Sequence, residues 1–430
     1  VPIGLSLYEN EPPERNRLLS GVGNLLTDQG DNIERPTILA VSGGGDSVAM
    51  LRLGHYVASN YRTNPLWAVT VDHGLRPESR AEAEWVARLC GELGVPHKIL
   101  TWEAPSLAGN LQHNARQARY RLLADWAGAN NALFVGLGHT SDDRAETLIM
   151  QMTRAAGVEG LAGMSSGFER DGVRFVRPMD RLARVDLRNY LREIGQDWIE
   201  DPSNDDNRYH RIRIRKAMPM LADLGLTVDA LCKVAENLAS ANETIARMLA
   251  EKVASLEMED RGDLTEDSFE LTGELWHRFW LAAFQWIGGG DYPPRASDMR
   301  DCMKLIRENG SATLAGCLVT FVRGVNGLNG TTRITREYSA VRDLTCPTTE
   351  IWDGRWQFEG PHDPDLHIGA LGDAVKDCPD WRTTGLPRAS LLASPAIWRG
   401  SELIAAPLAG NENGWKVRIV ADFNSFLLSH

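Results

Sequence analysis

No stretch of this 430-residue sequence approaches the uninterrupted apolar run of roughly 20 residues that a membrane helix requires. The opening residues VPIGLSLYENEPPERNR lack both a basic start and an apolar stretch, so no secretory leader is expected. Cysteine is sparse: Cys90, Cys232, Cys302, Cys317, Cys346 and Cys378 are scattered, with no CxxC pair and no histidine at metal-ligand spacing. That excludes a zinc ribbon or a disulfide framework and predicts a cytoplasmic protein with reduced thiols. Repeats and low-complexity tracts are absent too, which excludes solenoids. Positive charge is in deficit, the net charge being -12, and this argues against a protein that coats nucleic acid indiscriminately by neutralising phosphates. Any nucleic-acid contact must use local patches. Arginine far outnumbers lysine, which suits bidentate phosphate contacts, although a biased genomic base composition produces the same excess.

The length exceeds what one core supports, so two or three domains are expected, and 43% hydrophobic with 24% charged residues is the composition of a globular protein. From Pro36 to Met179 short apolar runs alternate with amphipathic stretches, the pattern of an α/β, doubly wound parallel sheet. The strand candidates are Thr37 to Ser42, Leu66 to His73, His97 to Trp102, Ala132 to His139 and Val173 to Pro178. Helical patterns such as EAEWVARLCGELG and NARQARYRLLADWAGA lie between the first four. Ligands of such sheets sit at the carboxyl ends of the strands. RVDLRNYLREIG predicts a further amphipathic helix, and the turn-rich DPSNDDNRYHR a linker. These shifts divide the chain into an N-terminal extension (1–35), an α/β domain with its linker helix (36–221), a small helical domain (222–310) and a C-terminal α+β domain (311–430).

The first strand runs into SGGGDS, Ser42 to Ser47, before a helix. Gly43, Gly44 and Gly45 let the backbone bring its N–H groups close to a polyanion, and the helix N-terminus favours one. The loop has neither the GK[ST] ending of a Walker A motif nor GxGxxG spacing. Asp46 beside an anion is repulsive unless a cation such as Mg²⁺ bridges them. Asp46 and Ser47 also suit plain helix capping, so both readings stand. His73 ends the second strand at the same sheet edge, in reach of adenine or phosphate. The fourth strand leads into GHTSDDRAETLIMQ, where Asp143 and Glu146 share one helical face. Such a pair can bind an ammonium, act as a base or hold a metal, and His139 can move a proton or bind phosphate. Thr140 and Asp143 equally match a capping box. Upstream, Arg116, Arg119 and Arg121 lie on a helix from which at least one could clamp a phosphate or a leaving pyrophosphate. Arg208, Arg211, Arg213, Arg215 and Lys216 form the densest basic cluster, consistent with an RNA backbone contact or a solvated helix start.

SGGGDS resembles the PP-loop of enzymes that split ATP between its α and β phosphates. SGGGDS, VDHGLRPES, NLQHNARQARY, GHTSDDRAETLIMQMTRAAGVEGLAGM and the run from RPMDRLARVDLRNYL to RKAMPML, taken in order, resemble the tRNA(Ile)-lysidine synthetase family, strongly from Pro36 to Leu221 and more weakly beyond. LPRASLLASPAIWRGSELIAAP resembles the far C-terminal domain of the longer members. The family's arginine-asparagine-arginine run is HRIRIR here, with Ile212 in the asparagine's place.

The resemblance implies an ATP- and Mg²⁺-dependent ligase that adenylylates the wobble cytidine of a tRNA(Ile) with a CAU anticodon, then attaches L-lysine. It implies catalytic or lysine-binding roles for Asp46, Arg116, His139, Asp143 and Glu146. Ser42 to Ser47 and His73 would hold ATP, Asp46 the metal, and the basic cluster the tRNA. The oligomeric state stays open, a homodimer included. A PP-loop thiolase is the nearest rival, but the reactive cysteine pair common in such enzymes is missing. A glutamine-fed synthetase would need a glutaminase-like constellation that is not visible. A non-catalytic ATP- or RNA-binding module is disfavoured by the acids at 46, 143 and 146.

Overall fold

The computed structural model describes residues 13–27, 34–74, 77–102, 111–200, 208–256, 258–267, 271–290, 292–323 and 330–429. Contacts divide the chain into two units, Val1–Asn242 and Glu243–His430. Among the described residues no helix is long and apolar enough to cross a membrane.

The first unit runs α1 (Pro13–Thr27), β1 (Thr37–Ala40), α2 (Gly45–Asn60), β2 (Leu66–Asp72), α3 (Ser79–Glu92), β3 (His97–Thr101), α4 (Leu111–Ala129), β4 (Phe134–Leu137) and α5 (Ser141–Met152). It continues through α6 (Val158–Leu161), β5 (Gly167–Arg170), β6 (Val173–Val176), α7 (Arg184–Glu193), α8 (His210–Asp223) and the start of α9 (Val228–Leu256). The sheet order is β3-β2-β1-β4-β6-β5, parallel throughout except for β5, which pairs antiparallel with β6 at the edge. The chain builds outward from β1 to β2 and β3, then returns to place β4 on the other side of β1. That reversal opens a crevice above the ends of β1 and β4.

Side chains alternate across a strand, and the central strands use both faces. Leu39, Ala68 and Phe134 enter the layer with Leu51, Leu53 and Leu187, whereas Ile38, Val69 and Val135 enter the layer with Tyr120, Leu123 and Phe175. The expected doubly wound sheet is therefore present, and each expected strand is found within its run. Strand β5, GFER, went unread because it shows no apolar alternation and is an exposed edge. Residues 13–27, part of the stretch set apart as an extension, form α1. Its Leu18, Leu19, Val22 and Leu26 are buried in the same core as α2. The DPSNDDN part of the expected linker lies outside the described residues.

The second unit holds the end of α9, β7 (Glu259–Asp260), β8 (Asp263–Asp267), α10 (Gly273–Gly288), α11 (Ala296–Asn309), β9 (Ser311–Leu314), β10 (Cys317–Arg323) and β11 (Gly330–Arg336). It closes with α12 (Tyr338–Val341), β12 (Cys346–Pro347), β13 (Trp356–Glu359), β14 (Leu366–Ala370), α13 (Arg388–Leu392), β15 (Pro395–Arg399), β16 (Glu402–Ala405), β17 (Lys416–Ile419) and α14 (Phe423–Ser429). Helices α10 and α11 share one core with the sheet β7-β8-β11-β10-β9 through Phe279, Phe284, Ile306, Val319 and Ile334. The stretches 222–310 and 311–430, read apart in sequence, are thus joined here. Strand β8 is DLTED, too polar to announce itself, and it pairs with β11 from Leu264↔Ile334 to Asp267↔Thr331.

Candidate active site

The glycine loop is built between the end of β1 and the first turn of α2. Gly43 has φ +89°, a left-handed conformation that an L side chain rarely adopts. A Cβ there would lie 2.7 Å from Ile199 Cδ1, and one at Gly45 would lie 3.3 Å from the Trp198 ring. The Ile199 amide donates to the Gly43 carbonyl at 2.9 Å, so residues 198–200 strap the loop from behind. Gly44 caps α2 with no side-chain cap, and its missing Cβ would meet only Ser42 Oγ, at 3.8 Å. That is the open side, where a phosphate can approach backbone N–H groups. The Ser47 hydroxyl donates to the Gly44 carbonyl (2.8 Å) and accepts from the Ser42 amide (3.1 Å), which fixes the turn.

Across the crevice, α5 starts at its cap Thr140. Asp143 closes a capping box there, its Oδ2 accepting from the Thr140 amide (2.9 Å) and hydroxyl (3.0 Å). Its other oxygen does different work. Asp143 Oδ1 accepts from Arg184 Nη2 (3.1 Å) and Arg211 Nη2 (3.0 Å), so capping and ion pairing are both true of one residue. Glu146 is 1% exposed and receives Arg184 Nη1 (3.1 Å), Arg215 Nε (2.7 Å) and Nη2 (3.2 Å), and Arg211 Nε (2.8 Å). Burial pushes the pKa of both acids up, but the arginines outweigh it and hold them below the ordinary carboxylate range. Arg184 Nε also donates to Asp46 Oδ2 at 3.0 Å. One guanidinium therefore spans three carboxylates brought from α2 and α5.

Asp46 is different. Burial raises its pKa and Arg184 only partly offsets this. Its Oδ1 is buried without a hydrogen-bond partner. An orphan carboxylate oxygen beside a phosphate-ready loop fits Mg²⁺, which commonly takes one or two protein carboxylates and completes its shell with phosphates and water. Among the described residues no cluster of three or more His, Cys, Asp or Glu is arranged to hold a metal.

His73, His139 and Arg116 line the same cavity of about 580 Å³ as Ser42, Gly44, Gly45, Asp46, Ser47, Asp143, Arg211 and Arg215. Burial lowers the pKa of His73, and pushes that of His139 down to about 3, so both rings are neutral at physiological pH. His139 Nδ1 accepts from Arg177 Nε at 3.2 Å, which leaves the ring proton on Nε2. Arg116 is exposed on α4 and donates to the Tyr120 hydroxyl at 3.2 Å. The basic cluster, by contrast, divides. Arg211 and Arg215, one helical turn apart, point at the acids, while Arg208, Arg213 and Lys216 are exposed. Sequence reasoning missed Arg184 altogether.

Residues 19–221 match the model of a PP-loop domain family. The tRNA(Ile)-lysidine synthase of Ruegeria pomeroyi is 45% identical over 401 residues, covering 91% of this chain and 94% of that protein. That of Brucella anthropi is 33% identical over 410 residues, covering 90% and 88%. Among solved structures, the U34-tRNA thiolase NcsA from Methanococcus maripaludis aligns with a TM-score of 0.45 at 17% identity, over 53% of this chain and 80% of that one, too distant to argue from. A PP-loop facing an acid pair, with full-length relatives of one name on either side of 40% identity, establishes that the chain belongs to the tRNA(Ile)-lysidine synthase family.

Proposed function

We propose that this cleft joins L-lysine to C2 of the wobble cytidine in a CAU-anticodon tRNA(Ile). The chain is a ligase that forms a carbon–nitrogen bond, making lysidine on tRNA(Ile) with ATP. The observation that carries the site assignment is the single ion network in which Arg184 links Asp46, beside the glycine loop, to Asp143 and Glu146.

In the first step the C2 oxygen of cytidine attacks the α phosphorus of ATP, and the bond to the departing pyrophosphate breaks. Ser42 to Ser47 cradle the phosphates with backbone N–H groups, and His73, which lines the same cavity, is in reach of the adenine or a phosphate. Mg²⁺, held by Asp46, would neutralise charge on the phosphate oxygens. In the second step the lysine ε-amine attacks C2, the C2–oxygen bond breaks, and AMP leaves. Asp143 and Glu146 supply the negative pocket that receives the ammonium. Arg211 or Arg215 must yield for this, since every Glu146 oxygen already accepts two hydrogen bonds. Their withdrawal raises the basicity of the acid left behind, and either Asp143 or Glu146 then takes the proton that attack releases. Neutral His139, its Nδ1 lone pair occupied by Arg177 and its proton on Nε2, serves instead as a hydrogen-bond donor to a phosphate or base oxygen. Arg208, Arg213 and Lys216 provide the tRNA lane, and an anticodon loop is single stranded enough to present its base. The reaction belongs in the cytoplasm, with its tRNA.

The test is to incubate the protein with ATP, Mg²⁺, lysine and a CAU-bearing tRNA(Ile) transcript, then weigh the nucleosides. A lysine-dependent mass gain at the wobble cytidine is expected. A sulfur-sized gain, or none, would overturn the reading.

A further inference from the structure

Helix α7 begins without a cap of its own. Its N-cap residue, Ala183, offers no side-chain hydrogen bond, yet a helix N-terminus favours an acceptor and a negative charge. Both arrive from α5. Asp142, half-buried in the first turn of that helix, accepts the Arg184 amide on Oδ2 at 2.8 Å. Beside it, the Leu182 carbonyl accepts from the Ser141 amide (3.0 Å) and the Ser141 hydroxyl (3.1 Å). Three hydrogen bonds thus fasten residues 182–184 to the first turn of α5, and Leu182 is itself buried in the core that holds α1 and α2.

The other end of Arg184 returns to the same helix, Nη1 to Glu146 and Nη2 to Asp143, while Nε reaches Asp46 on α2. Helix α5 therefore holds this arginine both by its main chain and by its guanidinium. A guanidinium fork meets carboxylates only at fixed angles, so the anchoring of the Arg184 backbone decides whether one fork can span three acids. The dipole of α5 would be served equally by an acid turned to solvent, and does not require the bond to Arg184. Burial lowers the Arg184 pKa, but Asp143, Asp46, Glu146 and Asp142 outweigh it and raise it above the ordinary value. Asp142 is not among the described residues that line the cleft, so it reaches the chemistry through Arg184.

We infer that Asp142 is a positioning residue: by capping α7 from α5 it sets the Arg184 guanidinium on Asp46, Asp143 and Glu146, and so fixes the glycine-loop end of the cleft against its acid end. This rests on the functional reading of the cleft given above. The hydrogen bond, more than the charge, does the placing, and an asparagine carbonyl at 142 accepts the same amide. A serine at 183, by contrast, caps α7 from within, through the second or third N–H of the helix. It leaves the Arg184 amide, and the tie to α5, unmade.

The experiment compares the whole chain as wild type, Asp142→Asn, Asp142→Ala, and Asp142→Ala combined with Ala183→Ser. It reads lysidine formation, urea unfolding and NMR of the arginine Nε–H groups, the Arg184 signal being assigned by its absence in Arg184→Lys. Asp142→Ala should lower kcat about 10-fold or more, the effect expected of one lost charge-assisted hydrogen bond, with KM for tRNA within roughly twofold. Its Arg184 Nε–H, no longer held on Asp46, should shift and exchange faster with water. Asp142→Asn should recover most of the rate and the wild-type signal. Adding Ala183→Ser to Asp142→Ala should restore stability but neither rate nor signal, and that pair carries the comparison if Asp142→Ala alone folds poorly. A wild-type Arg184 signal in Asp142→Ala would overturn the proposal, as would Asp142→Asn behaving like Asp142→Ala. So would a rate recovered by Ala183→Ser, which would reduce Asp142 to a helix cap. The NMR readout needs no substrate. A chain that shows this pattern but makes no lysidine would sink the functional reading and keep this one.

Discussion

Arg184 Nε donates to Asp46 Oδ2 at 3.0 Å, while Asp46 Oδ1, buried beside it, has no hydrogen-bond partner. The arginine orients the carboxylate and leaves one oxygen for a cation. Asp46→Asn keeps the shape and removes the charge. AMP and pyrophosphate release should fall about 100-fold or more, the scale of losing a main electrostatic contact to the transferring group, with tRNA affinity unchanged. The folded-state pKa of Asp46 is raised, so ionising it costs stability at neutral pH. The variant should therefore unfold at the same or higher denaturant concentration. Retained turnover would refute the assignment.

Arg184→Met should do the opposite to stability. It removes the shared partner of three carboxylates, two of them buried, and breaking a buried pair on one side costs about 3–5 kcal/mol. Adding Glu146→Gln to Arg184→Met should return part of that loss, because one uncompensated charge disappears with it. Urea unfolding of both variants measures this. If the double variant is less stable than the single one, the network is not held by charge balance.

Acid should destabilise the protein in two stages with separate owners. His73 and His139 have lowered folded pKa values, so as pH falls below about 6.5 the unfolded chain takes up protons that the folded one refuses, and stability declines. Asp143 and Glu146 have lowered folded pKa values as acids. Their contribution is complete above the unfolded value of about 4 and is lost as pH falls through the lower folded one. His139→Asn should flatten only the upper stage. An NMR titration of the His139 ring near pH 6.5 would contradict the first stage.

How far sequence carried can be judged from residues it placed and residues it did not. TILA, LWAVTVD and FVGL were legible because a strand covered on both faces is a short apolar run bounded by turns. Asp143 and Glu146 were legible because helical spacing alone puts them on one face. Arg184 was not. It opens α7, at the positive end of the helix dipole, where local rules favour an acid. Only three carboxylates at positions 46, 143 and 146 explain a cation there, and that is tertiary information. Arg211 and Arg215 were read with the exposed cluster for the same reason: i,i+4 arginines look alike whether they meet water or acids. The strap at Trp198 and Ile199 gave no separate signal within its motif run, since its partners are glycines with nothing to pair.

That strap makes Gly43 testable. Gly43→Ala would need a left-handed φ costing about 1–2 kcal/mol for an L residue, and would place a methyl 2.7 Å from Ile199 Cδ1. Ile199→Ala removes that collision and keeps the dihedral cost. ATP affinity should drop sharply in Gly43→Ala and recover partly in the pair with Ile199→Ala. Trp198 packs against Gly45, so its fluorescence should shift when ATP binds. Equal ATP affinity in Gly43→Ala and wild type would show that the loop does not carry the phosphates.

Salt separates the two arginine populations of α8. Arg213 and Lys216 are exposed, so in a tRNA complex each would displace counterions from a phosphate. Arg211 and Arg215 spend their charge on Asp143 and Glu146. In filter binding, Arg213→Ala with Lys216→Ala should reduce the slope of log affinity against log salt by roughly 1.5, at about 0.7–0.9 per phosphate contact, and should leave ATP affinity alone. Wild-type tRNA binding should weaken with salt far more steeply than ATP binding, because ATP sits among short-range contacts that ions screen poorly. Equal salt dependence for the two ligands, or an unchanged slope in the double variant, would move the RNA lane away from α8.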